Sequence, residues 1–142
     1  MDINTLTPRY SVSPQIDPAD MAVIADAGFK AIICNRPDSE NPPALHAAQM
    51  AKAAKAAGLE FHSLPLTHQT MNTENIAAQS AIVDGAAGPV LAYCASGTRC
   101  SVIWALSQAG KLPSDTILAT TANAGYPLDQ LRPHLEMLAS QA

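Results

Sequence analysis

Aromatic side chains are scarce in this chain of 142 residues, which has two Phe, one Trp and three Tyr. A core with so few rings must close by tight approach of small and aliphatic side chains, and the 48% apolar content, rich in alanine, suits that packing. Basic charge is thin as well: Lys and Arg number 8 against 12 acidic residues, the formal charge is −4, and no two basic residues adjoin. Nucleic acid and anionic membrane are therefore not expected partners. Three widely spread cysteines make no disulfide framework, so reduced thiols are expected. The start, Met1 to Thr5, lacks the basic and apolar regions of a signal peptide, and no apolar run reaches membrane-spanning length. A soluble cytoplasmic protein, one domain over residues 1–142, is the expectation. His46, His62, His68 and His134 show no metal-ligand spacing, so neither metal nor organic cofactor is expected.

The informative stretch is Val90 to Ser101, an apolar run ending on Cys94, a glycine-bearing loop, and Arg99 opening a helical segment. Successive N–H groups in a tight loop form an anion-binding nest, and the helix that follows adds the positive end of its dipole. A cysteine at the mouth of such a nest is driven toward thiolate and becomes a nucleophile. Gly97 permits a backbone angle that side chains resist. Arg99 presents a planar fork to an oxyanion. Cys94 and Arg99 are thus the candidate catalytic residues, with Ala95, Ser96, Gly97, Thr98, Arg99 and Cys100 as the anion-binding loop.

Around this loop helix and strand signals alternate. Strands are predicted near 9–13, 29–35, 59–64 and 90–93. Helices are predicted from Asp17-Pro18 to Ala27, over 43–57, 73–86 and 99–109, and near 114–123 and 127–140. The last carries an apolar stripe, Leu128, Leu131, Leu135 and Leu138, expected to pack on the core. Strands joined through helices imply a three-layer α/β fold with a mainly parallel sheet of four or five strands. Ligands gather at the carboxyl ends of such strands. That edge brings Cys94 together with Cys34, Arg36, Asp38 and the polar loop bearing His68. Arg36 could add positive charge there or pair with Asp38 or a helix carboxylate. Ser101 could donate to the thiolate or serve the backbone. Cys34 and Cys100 could resolve an oxidised Cys94 or simply pack.

The segments Ser11–Ile16, Ala27–Lys30, Asn35-Arg36-Pro37-Asp38, Gly88–Cys94, Ser96-Gly97-Thr98-Arg99 and Leu131-Arg132-Pro133 resemble the bacterial family called beta-lactamase-hydrolase-like protein, phosphatase-like domain. The resemblance implies a dual-specificity-phosphatase-like fold with a site on Cys94 and Arg99. The chain departs from the family's usual residues at Ala95, often arginine there, and at Cys100, usually serine.

Two features divide the chemistry implied. Phosphatases of that fold place five residues between cysteine and arginine, whereas four stand here, a length similar to the rhodanese loop. They also use an aspartate acid about thirty residues upstream, and residues 60–75 contain none. The first expectation is therefore a rhodanese-like sulfurtransferase, passing sulfane sulfur through a Cys94 persulfide to a thiol acceptor such as glutathione or a protein. The second is a phosphatase working through a phosphocysteine, with Asp38, His68 or Glu74 as acid. The third is an anion-binding module without turnover. All three take a small anionic ligand, a sulfane-sulfur donor or a phosphoester.

Overall fold

The computed structural model describes residues 1–141. Five short strands form one sheet: β1 (Asn4–Thr7), β2 (Tyr10–Ser13), β3 (Ala31–Cys34), β4 (Glu60–Ser63) and β5 (Val90–Tyr93). Their order is β1-β2-β5-β3-β4; β1 runs antiparallel to β2, and the other pairs are parallel. Every residue of β2, β3 and β5 is buried, which explains why β3 and β5 are continuous apolar runs, whereas β2 carries Ser11 and Ser13 between its apolar residues.

Six helices cover the sheet: α1 (Met21–Asp26), α2 (Ala47–Ala56), α3 (Thr73–Gly85), α4 (Thr98–Ser107), α5 (Ser114–Asn123) and α6 (Arg132–Ser140). The period-2 alternation of the strands splits the core in two. Ile32, Cys34, Leu91 and Tyr93 pack against Met21 and Ile24 of α1 and Met50 and Ala54 of α2. Tyr10, Val12, Ile33, Val90 and Ala92 face the opposite way, onto α3 to α6. α4 is the central helix of that second layer and is buried from Arg99 to Leu106. The Leu128, Leu131, Leu135 and Leu138 stripe packs on the same cluster.

Four elements differ from the sequence reading. The segment 43–57 is a 3-10 turn, Pro43–Leu45, followed by α2, because His46 is extended (φ −63°, ψ 153°) between them. The Asp17–Ala27 and 127–140 segments divide likewise, with 3-10 turns at Pro18–Asp20 and Asp129–Leu131 preceding their α-helices. β1 is an additional edge strand. Among the described residues no helix is long and apolar enough to cross a membrane.

Candidate active site

β5 is the middle strand, and the chain leaves its carboxyl end through Cys94 into a short turn before α4 starts at Thr98. Gly97 makes that turn with φ 95°, where a side chain is strained, and a Cβ there would strike the Tyr126 hydroxyl. Tyr126 Oη donates to the Ser96 carbonyl (3.0 Å) and accepts from Asn4 Nδ2 (3.1 Å). A residue just after α5 and another on β1 therefore brace the loop from outside.

Inside the loop, the Gly97 N–H donates to Cys94 Sγ at 3.1 Å. The Cys100 thiol, together with the N–H groups of Cys100, Gly97 and Ser96, lowers the Cys94 pKa from 9.0 to about 5, against burial, which opposes ionisation. Burial and the adjoining Cys94 push Cys100 the other way, so it stays a neutral S–H facing a thiolate. A cysteine here takes the part of the hydroxyl that the family resemblance leads one to expect.

Arg99 is 9% exposed and Cys94 0%. The guanidinium is anchored on two sides. Its Nη1 donates to the Leu66 carbonyl (2.9 Å) and to Glu40 Oε2 (2.8 Å), while Nη2 donates to Glu40 Oε1 (2.7 Å). Glu40 ends a 3-10 turn, Asp38–Glu40, in the loop after β3. Arg36 grips the same residue, with Nε to Oε1 at 3.3 Å and Nη2 to the carbonyl at 3.1 Å, while its Nη1 reaches Gln15 Oε1 at 3.2 Å. Arg99 first, then Arg36, hold the Glu40 carboxyl below the usual carboxylate range. Arg36 thus pairs with a carboxylate, Glu40, and adds its charge to the site through it.

A cavity of about 330 Å³ opens over this cluster, lined by Arg99, Glu40, Ser96, Thr98, Thr67 and His68 among others. Asp38 and Glu74 do not line it. Asp38 Oδ1 accepts the Ala47 N–H at 2.8 Å and so caps α2, which corrects the expectation that it enters the pocket. Ser101 Oγ donates to the Gly97 carbonyl at 2.9 Å and serves the backbone rather than the sulfur. The Thr98 N–H is turned to Ser96 Oγ at 3.2 Å, and the exposed Ala95 accepts the Gln15 N–H at 3.4 Å through its carbonyl. The sulfur is therefore faced by the N–H groups of Ser96, Gly97 and Cys100, while that of Thr98 is turned away from it. A smaller cleft, about 190 Å³, lies at the amino end of β2 beside Tyr10 and Trp104. Its Arg9 is committed to the carbonyls of Val83 and Ala86, and no cysteine lines it.

Behind the loop runs a buried polar chain. Asn35 and Gln79 exchange side-chain amide hydrogen bonds (3.0 and 2.9 Å), Gln79 Nε2 donates to Tyr10 Oη (3.1 Å), and Tyr10 Oη donates to the Cys100 carbonyl (2.8 Å). β2, β3 and α3 are thereby tied to the first turn of α4. Glu40, Tyr126 and Gln79 escape the sequence reading. The one signal for Glu40 is a carboxylate in the loop that leaves β3 at the ligand edge.

A mainly parallel α/β sheet with Cys94 and Arg99 at the end of its middle strand is a dual-specificity-phosphatase-like fold. The profile of beta-lactamase hydrolase-like protein, phosphatase-like domain, matches residues 2–111, and the chain belongs to that family. A beta-lactamase hydrolase-like protein of Xylella fastidiosa is 31% identical over 145 residues, covering 99% of this chain and 33% of the relative. The chain spans only 23% and 33% of the length of the curated relatives first matched. A candidate phosphatase of Neisseria meningitidis has a crystal structure that superposes with TM-score 0.87 at 36% identity, covering 97% of this chain and 99% of that one. Tk-PTP in its active form shares the fold at TM-score 0.72 and 16% identity, over 99% and 98% of the two chains. These findings favour the phosphatase-type expectation over sulfur transfer. The four-residue loop sits in a phosphatase-like family, so its length is no mark of a rhodanese.

Proposed function

We propose that this domain is a cysteine-dependent phosphatase acting on phosphate monoesters. Cys94 thiolate attacks phosphorus, the bond to the leaving oxygen breaks, and a phosphocysteine forms. The N–H groups of Ser96, Gly97 and Cys100, with the Arg99 N–H groups that Glu40 and Leu66 leave free, stabilise the charge gathered on the equatorial oxygens. Glu40 is a positioning residue, because an ionised carboxylate gripped by two arginines orients Arg99 and is no proton donor. Of the acids considered, His68 alone lines the cavity, and it is assigned the transfer of a proton to the leaving oxygen. Water, passing a proton back to His68, then opens the phosphocysteine by breaking the S–P bond, releasing inorganic phosphate and the thiolate. The observation that carries this reading is the pairing of Cys94 Sγ with inward N–H and S–H donors, beside an arginine held rigid by Glu40.

The test is phosphate release from phenyl phosphate by the purified protein and by Cys94→Ser. Release that vanishes in the variant supports the reading. Sulfur added to Cys94 by thiosulfate, seen by intact mass, with no phosphate released, replaces it with sulfur transfer. Phosphate affinity that survives Cys94→Ser, with no turnover of either substrate, replaces it with an anion-binding module.

A further inference from the structure

The cavity over Arg99 does not end at the anion site. His68, Gln69 and Thr98 also line a neighbouring groove of about 370 Å³ that runs along α4 toward the start of α6. Its walls are aliphatic: Met71 from the loop before α3, Val102 and Leu106 from α4, and Leu131 from the turn before α6. The polar groups on its rim, Gln130 and His134 among them, include no carboxylate, lysine or arginine. Arg132, the nearest cation in sequence, is turned to Asp115 Oδ1 at 2.8 Å. The cavity's own arginine, Arg99, and Arg36 behind it are both tied to Glu40.

We propose that this groove is the leaving-group subsite, and that it takes the uncharged, largely apolar hydroxyl compound of a phosphate monoester. The substrate class named here rests on the phosphatase reading above. Three observations converge on it. The groove adjoins the anion cavity and shares His68, Gln69 and Thr98 with it, so a group esterified to the bound phosphate can lie toward it. Its volume falls in the range of small-molecule sites, roughly 300–1,000 Å³, and its aliphatic walls reward apolar burial. It offers a second phosphate no lysine or arginine and only the imidazoles of His68 and His134, so a nucleotide, a pyrophosphate or a polyphosphorylated ring would have to desolvate further charge with little to pair it.

The subsite can be tested apart from turnover. On Cys94→Ser, the affinities for phenyl phosphate and 2-naphthyl phosphate are measured by calorimetry, with ATP as the polyanionic comparator. The bicyclic ester should bind about tenfold more tightly than the monocyclic one, and more tightly than ATP. Leu131→Trp and Gln130→Trp, each placed in that background, fill the groove and should bring the naphthyl-to-phenyl ratio near one. Gln130 is exposed, so its variant keeps the test available should Leu131→Trp fail to fold. Equal affinities for the two esters, a ratio unmoved by both fillings, or tighter binding of ATP overturns the subsite. If the ratio behaves as stated but the unaltered protein releases no phosphate from either ester, the phosphatase reading falls while the groove stands as a binding site. If phosphate is released with no preference between the esters, the reverse holds.

Discussion

Glu40 and Arg99, separated by 59 residues in sequence, meet through two charge-assisted hydrogen bonds of 2.8 and 2.7 Å. With the Leu66 carbonyl on Nη1, this pairing fixes the plane of the guanidinium before any substrate arrives. Bidentate arginine–carboxylate pairs add geometric specificity as well as energy. Glu40→Gln keeps the size and loses the charge, so Arg99 gains freedom to swing. We expect kcat on phenyl phosphate to fall about tenfold to a hundredfold, given roughly 1.5–3 kcal/mol for hydrogen bonds to charged groups. KM should change less. A kcat equal to that of the unaltered chain would show that Arg99 is oriented without Glu40.

Cys94 should react as a thiolate far below the pH at which ordinary thiols do. Alkylation by iodoacetamide, followed against pH, should rise through a midpoint near 5. Cys100→Ser supplies a hydroxyl donor and should leave that midpoint nearly in place. Cys100→Ala removes the largest contribution and should move it upward. The folded pKa lies below the unfolded 9.0. The resulting contribution to stability is therefore complete above pH 9, shrinks as pH falls toward 5, and is gone below it. Denaturant titrations of the unaltered chain and Cys94→Ala should show their difference changing with pH in that sense.

Gly97→Ala combines a left-handed backbone angle with a collision at Tyr126. A loss of about 1–3 kcal/mol is expected for the strain alone, together with loss of phosphate binding. Tyr126→Phe removes the hydrogen bonds to Ser96 and Asn4 and should cost about 0.5–1.5 kcal/mol. Adding Tyr126→Phe to Gly97→Ala removes the hydroxyl but leaves the ring carbon Cζ 2.9 Å from the new Cβ and the backbone angle unchanged. The double variant should therefore recover only part of the stability in urea unfolding, and full recovery would assign the whole effect to the hydroxyl.

Gln79→Leu should be more damaging than its place on α3 suggests. It leaves the Asn35 amide short of a partner and takes a donor from Tyr10 in a buried region. Each unsatisfied buried group costs about 1–3 kcal/mol, so a drop of about 2–4 kcal/mol in unfolding free energy is expected. Because Tyr10 also holds the Cys100 carbonyl, the alkylation midpoint of Cys94 should shift in this variant as well. An unchanged midpoint would confine the chain to a structural role.

Much of this architecture is legible in the residues. β3 and β5 are short apolar runs bounded by glycine or proline, and the apolar stripe beginning at Leu128 has helical spacing. Cys94 and Arg99 declare themselves because strand, loop and helix signals fall in one stretch. β1 is silent for a physical reason. Only Leu6 of its four residues is buried, and the strand exists because β2 presents it with an open edge. The split before α2 is equally tertiary, since the Asp38 carboxylate caps Ala47 and His46 Nε2 lies 3.0 Å from the Asn41 carbonyl. Glu40 and Tyr126 become part of the site only through contacts 59 and 30 residues distant; the position of Glu40 in the loop after β3 is the one local hint, and Tyr126 has none.

The two margins of the sheet carry one more consequence. β1 and β4 are four residues each, β1 shifts register between Thr5 and Thr7, and β4 carries the exposed ends Glu60 and Ser63. A stray strand seeking to extend the ribbon would find few amides in register and a carboxylate in its way. Concentrated solutions of the folded chain should accordingly resist fibrous self-assembly along these borders.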